Sequence, residues 1–186
     1  MHRWDRAWRS RQVGRLRWSW RRITVRQLRR APYCTSIGRR VRIVITPGGS
    51  LTVGRGIVLD EGVSLHVQGH LVLGDRLYLG RDSRIVCFQH VVVGEDVRFA
   101  ERVSVHDEAH AYEPVPMSDS ARHIYNCSPV QIGARVWLAT NVVVGAGTVI
   151  GDDTVVAAGS VVTKDLPAGV LAGGAPAGLL RTLRPG

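Results

Sequence analysis

Residues 132–162 read IGARVW LATNVV VGAGTV IGDDTV VAAGSV V, and the same six-residue pattern occurs in them five times without a gap. Each unit starts with an aliphatic residue, continues with a small one, and carries a small or β-branched residue four positions after the aliphatic one. The aliphatic positions are Ile132, Leu138, Val144, Ile150, Val156 and Val162. An α-helix would repeat every 3.6 residues or so and an isolated strand every two, roughly, so neither explains a period of six. This period predicts a short strand plus a corner, three of which make one triangular coil of roughly 18 residues.

The repeat extends upstream of this stretch. The same phase continues at Leu73, Leu79 and Ile85 and, after a shift of two residues, at Val93, Phe99 and Val105. Residues 37–65 follow it more loosely. Because stacked coils bury the faces of their neighbours, the pattern predicts an all-β domain, a parallel β-helix over residues 33–165.

Two places interrupt the repeat. Residues 106–131 separate two clear units by far more chain than a corner requires, and loops of this length in compact domains are usually functional. We therefore expect residues 106–131 to protrude from the coils as a long loop. Pro167 and Pro176 follow the last unit, and they predict that residues 166–186 form a C-terminal tail outside the coils.

The positive charge is concentrated in an N-terminal segment. Residues 1–42 contain 14 of the 25 basic and one of the 15 acidic residues. A nucleic-acid-binding domain would carry a basic stripe across the fold, so we expect no nucleic-acid partner. Within an Arg/Trp-rich segment at 1–32, the apolar residues at 3–30 follow the spacing of an amphipathic helix. Such a helix could cap the first coil or lie on an anionic membrane, and both alternatives stay open.

Cysteine usage and hydropathy bear on the compartment. Cys34, Cys87 and Cys127 are odd in number and lack metal-ligand spacing, so they predict neither a disulfide framework nor a zinc site. No apolar run reaches the ~18 residues of a transmembrane helix. We expect a cytoplasmic protein with reduced thiols, whose basic segment could reach the inner face of the membrane.

The loop carries the residues best suited to proton transfer. Residues 105–114 read VHDEAHAYEP, with two carboxylates between His106 and His110. Histidine titrates near neutral pH and is the most frequent general base. A loop histidine is often only solvent-exposed, but a loop inserted into the coil array favours a functional role for both.

The last coils offer a surface for a thin ligand. Residues 136–142 and 157–167 are rich in small side chains, which would let a ligand lie against backbone amides. Lys164 is the only lysine in the chain, and together with Arg181 it could bind phosphates. A well-packed last coil with a solvated lysine is the alternative.

These segments resemble the hexapeptide-repeat acyltransferases, in particular the sugar and polysaccharide O-acetyltransferases of the maltose and galactoside acetyltransferase type. The resemblance covers about residues 37–183. It implies a left-handed β-helix, a homotrimer, no metal, and acetyl-CoA bound as acyl donor between neighbouring subunits. It also implies that a loop histidine deprotonates the acceptor hydroxyl. His110, before Ala111-Tyr112-Glu113-Pro114, matches that position best, and His106 is the reserve candidate.

The resemblance assigns further site residues. Family positions that contact CoA fall on Trp137, Ala139, Thr140, Ala158, Thr163, Lys164 and Arg181. Arg81 and Asp82 stand where the family carries an acceptor-binding asparagine, and we expect them to bind the acceptor. Asp107 and Tyr112 are also expected to contact it. This departure leaves the acceptor open; a hydroxyl of a sugar or glycan precursor is the expected substrate.

Two other functions remain as alternatives. A β-helix can serve as a non-catalytic scaffold, although a scaffold needs neither the histidine loop nor Lys164. The γ-class carbonic anhydrases use the same β-helix with three histidine zinc ligands across a subunit interface. The spacing of the histidines in this chain does not fit that pattern.

Overall fold

The computed structural model describes residues 14–16, 34–110 and 125–183. All regular secondary structure within these residues is β-strand, and three mostly parallel sheets surround one core. The chain winds through the sheets in a fixed order, which makes a left-handed parallel β-helix of about six coils. The predictions of an all-β fold and of a β-helix are therefore confirmed.

The three sheets form the faces of a triangular prism, here named A, B and C in the order in which each coil visits them. Face A comprises Gly14–Leu16, Ser50–Val53, His70–Leu73, His90–Val93, Val130–Ile132 and Val149–Ile150. Face B comprises Cys34–Ile37, Ile57–Leu59, Tyr78–Leu79, Arg98–Phe99, Trp137–Leu138, Val155–Val156, Val170–Gly174 and Ala177–Thr182. Face C comprises Arg42–Ile45, Ser64–Val67, Arg84–Cys87, Ser104–His106, Val143–Val144 and Val161–Val162. The corners that join these faces are named edges AB, BC and CA.

The core lies inside the prism, and the aliphatic residues of the six-residue repeat point into it. All aliphatic positions of the repeat from Leu73 to Val162 are buried. From Ile132 onward, the residue four positions after each of them is also buried, and three of these residues, Thr148, Thr154 and Ser160, are polar. Their hydroxyls donate to backbone carbonyls, as Thr154 Oγ1 does to Pro167 O at 2.7 Å and Ser160 Oγ to Ala157 O at 2.6 Å. Burial of these polar groups is therefore compensated by hydrogen bonds.

The corners use two kinds of residue at two positions. The small residue after the aliphatic one lies against the next coil: a Cβ at Gly94 would be 2.6 Å from the carbonyl carbon of Gly133. The left-handed backbone conformation occurs two residues later, and it is adopted mainly by arginine, aspartate and asparagine. These residues are Arg40, Arg76, Asp82, Asp96, Arg102, Arg135, Asn141 and Asp153. The small residues therefore permit close stacking of coils rather than the turn itself.

Between the two end coils, the coils have two lengths. Residues that face each other across neighbouring coils are 20 positions apart in the N-terminal half, as between Ser50 and His70, and 18 apart in the C-terminal half, as between Arg135 and Asp153. The first coil is longer, with Arg42 opposite Ser64, and the last is shorter, with Val155 opposite Leu171. The two extra residues lengthen the strands at edge CA: face A has four residues in His90–Val93 but two in Val149–Ile150.

The N-terminal segment differs from its prediction where the structure describes it. Gly14–Leu16 form a strand that pairs antiparallel with Ser50–Val53. A continuous helix over residues 3–30 is therefore wrong at these three residues, and the rest of that segment lies outside the described residues. The strand covers the edge of face A, where unpaired backbone groups would otherwise be exposed.

Both interruptions of the repeat are shorter than predicted. His106 still belongs to face C and Val130 already belongs to face A, so the excursion leaves the coils only between them. At the C-terminus, Leu166 bridges to Ile150, and Val170–Gly174 pairs parallel with Val155–Val156. The coils thus continue past residue 165, and an antiparallel strand at 177–182 ends them. Pro167 does not interrupt a strand because it lies at a corner.

Candidate functional site

The excursion begins as a β-hairpin at edge CA, between the coils of the two lengths. Glu108–His110 pairs antiparallel with Tyr125–Cys127, and His110 lies opposite Tyr125. The connection at 111–124, which includes Tyr112, lies outside the described residues. The structure therefore places His110 at the end of the first hairpin strand.

Asp107 fixes the hairpin to the coils. Its side chain is buried, and its carboxylate accepts hydrogen bonds from the backbone N–H groups of Phe88, Gln89 and His90, each at 2.7 Å. Charge-assisted bonds of this kind are among the strongest in proteins. The carboxylate is occupied by backbone donors, which corrects the expectation that Asp107 binds the acceptor.

The need for this carboxylate follows from the change in coil length. One coil earlier, the equivalent N–H groups of Gln68 and His70 donate to carbonyls of the next coil, at Cys87 and Gln89. The following coil has 18 residues, and the chain leaves it at Asp107, so such carbonyls are missing. Buried N–H groups without acceptors are costly. The Asp107 carboxylate supplies the acceptors that the shorter coil lacks.

The return of the excursion is tied to the same edge. Ser128 N donates to Asp107 O at 2.9 Å, and Gly147 N donates to Ser128 O at 3.0 Å. Both ends of the excursion are thus hydrogen-bonded into the stack of coils, which makes the base of the hairpin part of the scaffold.

The two candidate histidines have different surroundings. His106 is half-buried, and both ring nitrogens have partners: Nε2 lies 2.7 Å from Ser104 Oγ, and Nδ1 lies 3.2 Å from Glu108 Oε1. His110 is exposed, and its ring lies 4.5 Å from that of Tyr125 between centroids. Of the two, His110 presents its ring to a ligand.

A row of aromatic rings, which the sequence analysis did not identify, connects His110 to face C. Tyr125 packs edge-to-face on Phe88 with centroids 4.7 Å apart. Phe88 packs in the same manner on His66 at 5.9 Å. The sequence feature that points to this row is the two-residue shift of the repeat, because Phe88 is one of the extra residues of the longer coil.

The residues expected to bind CoA lie on two edges and one face. Thr140 and Ala158 stack on edge BC, where Gly159 N donates to Thr140 O at 2.9 Å. Ala139 precedes them on this edge, and Arg81 and Asp82 lie on it further toward the N-terminus. Thr163 and Lys164, both exposed, lie instead on edge CA.

Face B carries the other two residues that are expected to bind CoA. Trp137 is 50% exposed and lies in register with Val155 and Leu171. Arg181 pairs with Leu171 on the terminal strand. Face C separates the residues on edge BC from those on edge CA. One chain therefore brings His110, Thr163 and Lys164 to one edge but does not gather all the predicted residues in one pocket.

The described thiols are free and weakly acidic. Burial raises the pKa of Cys87 to about 12, and it also raises the pKa of the half-buried Cys127. A thiol with a raised pKa is a poor nucleophile near neutral pH. Cys87 and Cys127 therefore stand outside the candidate chemistry.

Two features are absent from the residues that the structure describes. No group of three or more histidine, cysteine, aspartate or glutamate side chains there is arranged to hold a metal ion. The same part of the chain has no helix long and apolar enough to cross a membrane.

Known proteins similar to this chain include acetyltransferases. A family model described as bacterial transferase hexapeptide (six repeats) matches residues 129–164. A putative colanic acid biosynthesis acetyltransferase of Escherichia coli is 32% identical over 129 residues, which cover 69% of this chain and 68% of that protein. A probable acetyltransferase of Mycobacterium tuberculosis is 30% identical over 108 residues, or 57% of this chain. This chain spans only 36% of the mycobacterial protein.

Solved structures share the fold. A maltose O-acetyltransferase from Clostridium difficile is 27% identical with a TM-score of 0.55, and the match covers 86% of this chain and 73% of that one. A variant of an N-acyltransferase from Bacillus cereus, in complex with dTDP and coenzyme A, is 16% identical with a TM-score of 0.69. That match covers 87% of this chain and 90% of the other, and at this identity it shows the fold alone.

Proposed function

The chain belongs to the hexapeptide-repeat acyltransferases, and we propose that it transfers an acetyl group from acetyl-CoA to a hydroxyl of a sugar or glycan precursor. The observation that carries this proposal is an exposed histidine, His110, on a hairpin that a buried carboxylate fixes to the coils. A scaffold would need neither feature.

His110 is the proposed general base. Its imidazole takes the proton of the acceptor hydroxyl while the oxygen attacks the thioester carbonyl, and a backbone N–H can stabilise the resulting oxyanion. The tetrahedral intermediate then expels the CoA thiolate, which takes the proton from the imidazolium. The products are an acetyl ester and free CoA. His106 is less suited to this role because both of its ring nitrogens have partners within the protein.

The proposed position of acetyl-CoA follows from the residues on edges CA and BC. Lys164 lies on the same edge as the hairpin, two coils further along, or roughly 10 Å at the usual strand spacing. Thr140 and Ala158 lie on the other edge of face C. We therefore propose a homotrimer in which edge CA of one chain lies against edge BC of its neighbour, so that acetyl-CoA between the subunits contacts both sets of residues.

Transfer to oxygen rather than nitrogen is part of the proposal. The similar proteins include both an O-acetyltransferase and an N-acyltransferase. A hydroxyl needs a base in order to attack, whereas a neutral amine does not, and the exposed His110 supplies one. Treating the product with hydroxylamine distinguishes the two, since an acetyl ester is cleaved and an amide is not.

Binding of the donor is the first test. Titration calorimetry with acetyl-CoA should show binding, and Lys164→Ala should weaken it about tenfold or more, the effect of losing a charge-assisted bond. Arg55→Ala, which removes an exposed cation from edge AB, should leave the affinity unchanged. Absence of binding by the wild-type protein at millimolar acetyl-CoA would refute the function.

Location is a further proposal. A cytoplasmic enzyme with an arginine- and tryptophan-rich N-terminus could contact the anionic inner face of the membrane through residues 3–30. Sedimentation with anionic vesicles tests this contact. Failure to co-sediment at low salt would leave only the covering role of Gly14–Leu16.

A further inference from the structure

The outward side of face C changes character at the excursion. Toward the N-terminus, one row of residues in register alternates arginine and serine, and toward the C-terminus the same row contains valine only. The row runs Arg42, Ser64, Arg84, Ser104, Val143 and Val161. The parallel row beside it carries His66, Val86 and His106. No outward residue of these face C strands is acidic.

Arg42 and Arg84 are available for a ligand. Both are exposed, and neither forms an ion pair or side-chain hydrogen bond within the described residues. Arg76 and Arg135 on edge AB differ, because each pairs with carboxylates. Two guanidinium groups on one face that have no ion-pair partner among the described residues, with no carboxylate on the outward side of the face C strands, make that face a site for an anion.

The spacing of the row suits phosphate groups. Arg42 and Arg84 lie on strands two apart, which places their backbones roughly 10 Å from each other. Ser64 lies between them in the same row. Guanidinium groups bind phosphate oxygens in pairs, and a hydroxyl can donate to the same group. The arrangement fits one phosphate or a diphosphate between two arginines.

The aromatic row leads from this face to the base. His66 on face C, Phe88 at edge CA, and Tyr125 and His110 on the hairpin follow one another at centroid distances of 5.9, 4.7 and 4.5 Å. Aromatic side chains commonly line the binding sites of small molecules. A sugar could therefore lie along these rings with one hydroxyl at His110 and an anionic group at the arginines.

We propose that face C of the N-terminal coils binds the acceptor, and that the acceptor is a saccharide carrying a phosphate or diphosphate held by Arg84 and Arg42. This inference rests on the proposed function and names its substrate class. The donor occupies the C-terminal side of the hairpin, where the same row is apolar, so the two substrates approach His110 from opposite sides.

The test compares matched acceptors. Release of the CoA thiol is measured with neutral monosaccharides, their 1-phosphates and the corresponding uronic acids. The wild-type enzyme should prefer the phosphates. Arg84→Gln should raise the KM for the phosphorylated acceptor about ten- to a hundredfold, the effect of losing a bond to a charged group. The KM for acetyl-CoA and the Tm should not change.

Arg98→Gln is the matched control, because Arg98 is also exposed but lies on face B. It should leave the KM for both substrates unchanged. Equal kcat/KM for a sugar and its phosphate, or a preference for the uronic acid, would overturn the proposal. If the wild-type protein bound acetyl-CoA but acetylated only neutral sugars, this inference would be wrong and the proposed function would stand. If the wild-type protein did not bind acetyl-CoA, the proposed function itself would be wrong.

A binding measurement covers the case in which no acceptor in the panel is acetylated. Inorganic pyrophosphate is titrated into the protein saturated with CoA, so that the donor's phosphate contacts are filled. Wild type and Arg98→Gln should bind it, and Arg84→Gln should bind at least about tenfold more weakly. Absence of binding by the wild-type protein at 10 mM, roughly the limit for such weak contacts, would overturn the proposal.

Discussion

The N-terminal and C-terminal coils differ by two residues per turn, and that difference creates the place for the site. Neighbouring coils of 20 residues are hydrogen-bonded to each other through the backbone at edge CA, as between His70 N and Gln89 O, and so are coils of 18, as between Gly145 N and Val162 O. Where the two lengths meet, the longer coil presents three N–H groups that the shorter one cannot accept. Asp107 accepts them, and the hairpin with His110 begins at the next residue. The excursion that carries His110 therefore begins where the coil length changes.

Removing the anchor should give the largest effect. Asp107→Ala leaves three backbone donors without acceptors, at roughly 1–3 kcal/mol each, and should lower the Tm markedly. Since small misplacements of a catalytic group cost about a hundredfold in rate, kcat should fall by that order while the Kd for acetyl-CoA stays within about twofold. Thermal unfolding, steady-state kinetics and calorimetry measure the three quantities.

Asp152→Ala is the control for the anchor. The Asp152 carboxylate also accepts a backbone N–H, from Ala134 at 2.8 Å, but it does so at edge AB, away from the hairpin. This variant should lose some stability and keep kcat. If both variants lowered kcat equally, the specific role of Asp107 would be wrong.

A methyl group at the junction should have an intermediate effect. Gly94→Ala places a Cβ against the backbone of Gly133, where the coils of different length stack. Overpacking of this kind costs about 1–3 kcal/mol, which denaturant unfolding would detect. Gly178→Ala is the matched control, because a Cβ there meets no atom within 4 Å. Equal stability of the two variants would contradict the close stacking.

The ion pairs between arginine and aspartate on edge AB should contribute least to the stability of the fold. Arg135 lowers the pKa of Asp153 below its ordinary value of 3.8 through a hydrogen-bonded ion pair. The stabilisation is therefore present above that value and lost as pH falls through the lowered pKa of the folded state. Exposed pairs contribute less than about 1 kcal/mol. Asp153→Asn should flatten this part of the pH dependence of unfolding, and a steeper loss of stability in acid would contradict the assignment.

The interior of the fold could be predicted from sequence, whereas the junction could not. Every sixth residue from Ile132 to Val162 is aliphatic because each one faces the core, so periodicity alone identifies them. The left-handed corners at Arg102 or Asp153 carry no such pattern, since polar exposed residues occur equally in other loops. The sequence pattern predicts a helix at the three-residue strand Gly14–Leu16, because short segments match several periods.

The candidate site likewise has residues that the sequence predicts and residues that it does not. His110 was recognisable from residue type and local pattern, and the structure leaves its ring exposed. Asp107 looked equally suited to contact a substrate, because sequence does not show which backbone groups of an earlier coil lack partners. The aromatic row through Phe88 and Tyr125 joins residues far apart in the chain, and only the fold brings them together.

Acetyl transfer by His110→Ala tests the division between scaffold and hairpin most directly. Turnover is followed as free CoA thiol with an acceptor that the wild-type enzyme uses, and acetyl-CoA affinity is measured on the same samples by calorimetry. The account predicts a loss of kcat of at least about a hundredfold, as for removal of a general base, with an unchanged Kd for acetyl-CoA and an unchanged Tm. Turnover at the wild-type rate would contradict it, and would show that the hairpin does not carry the chemistry.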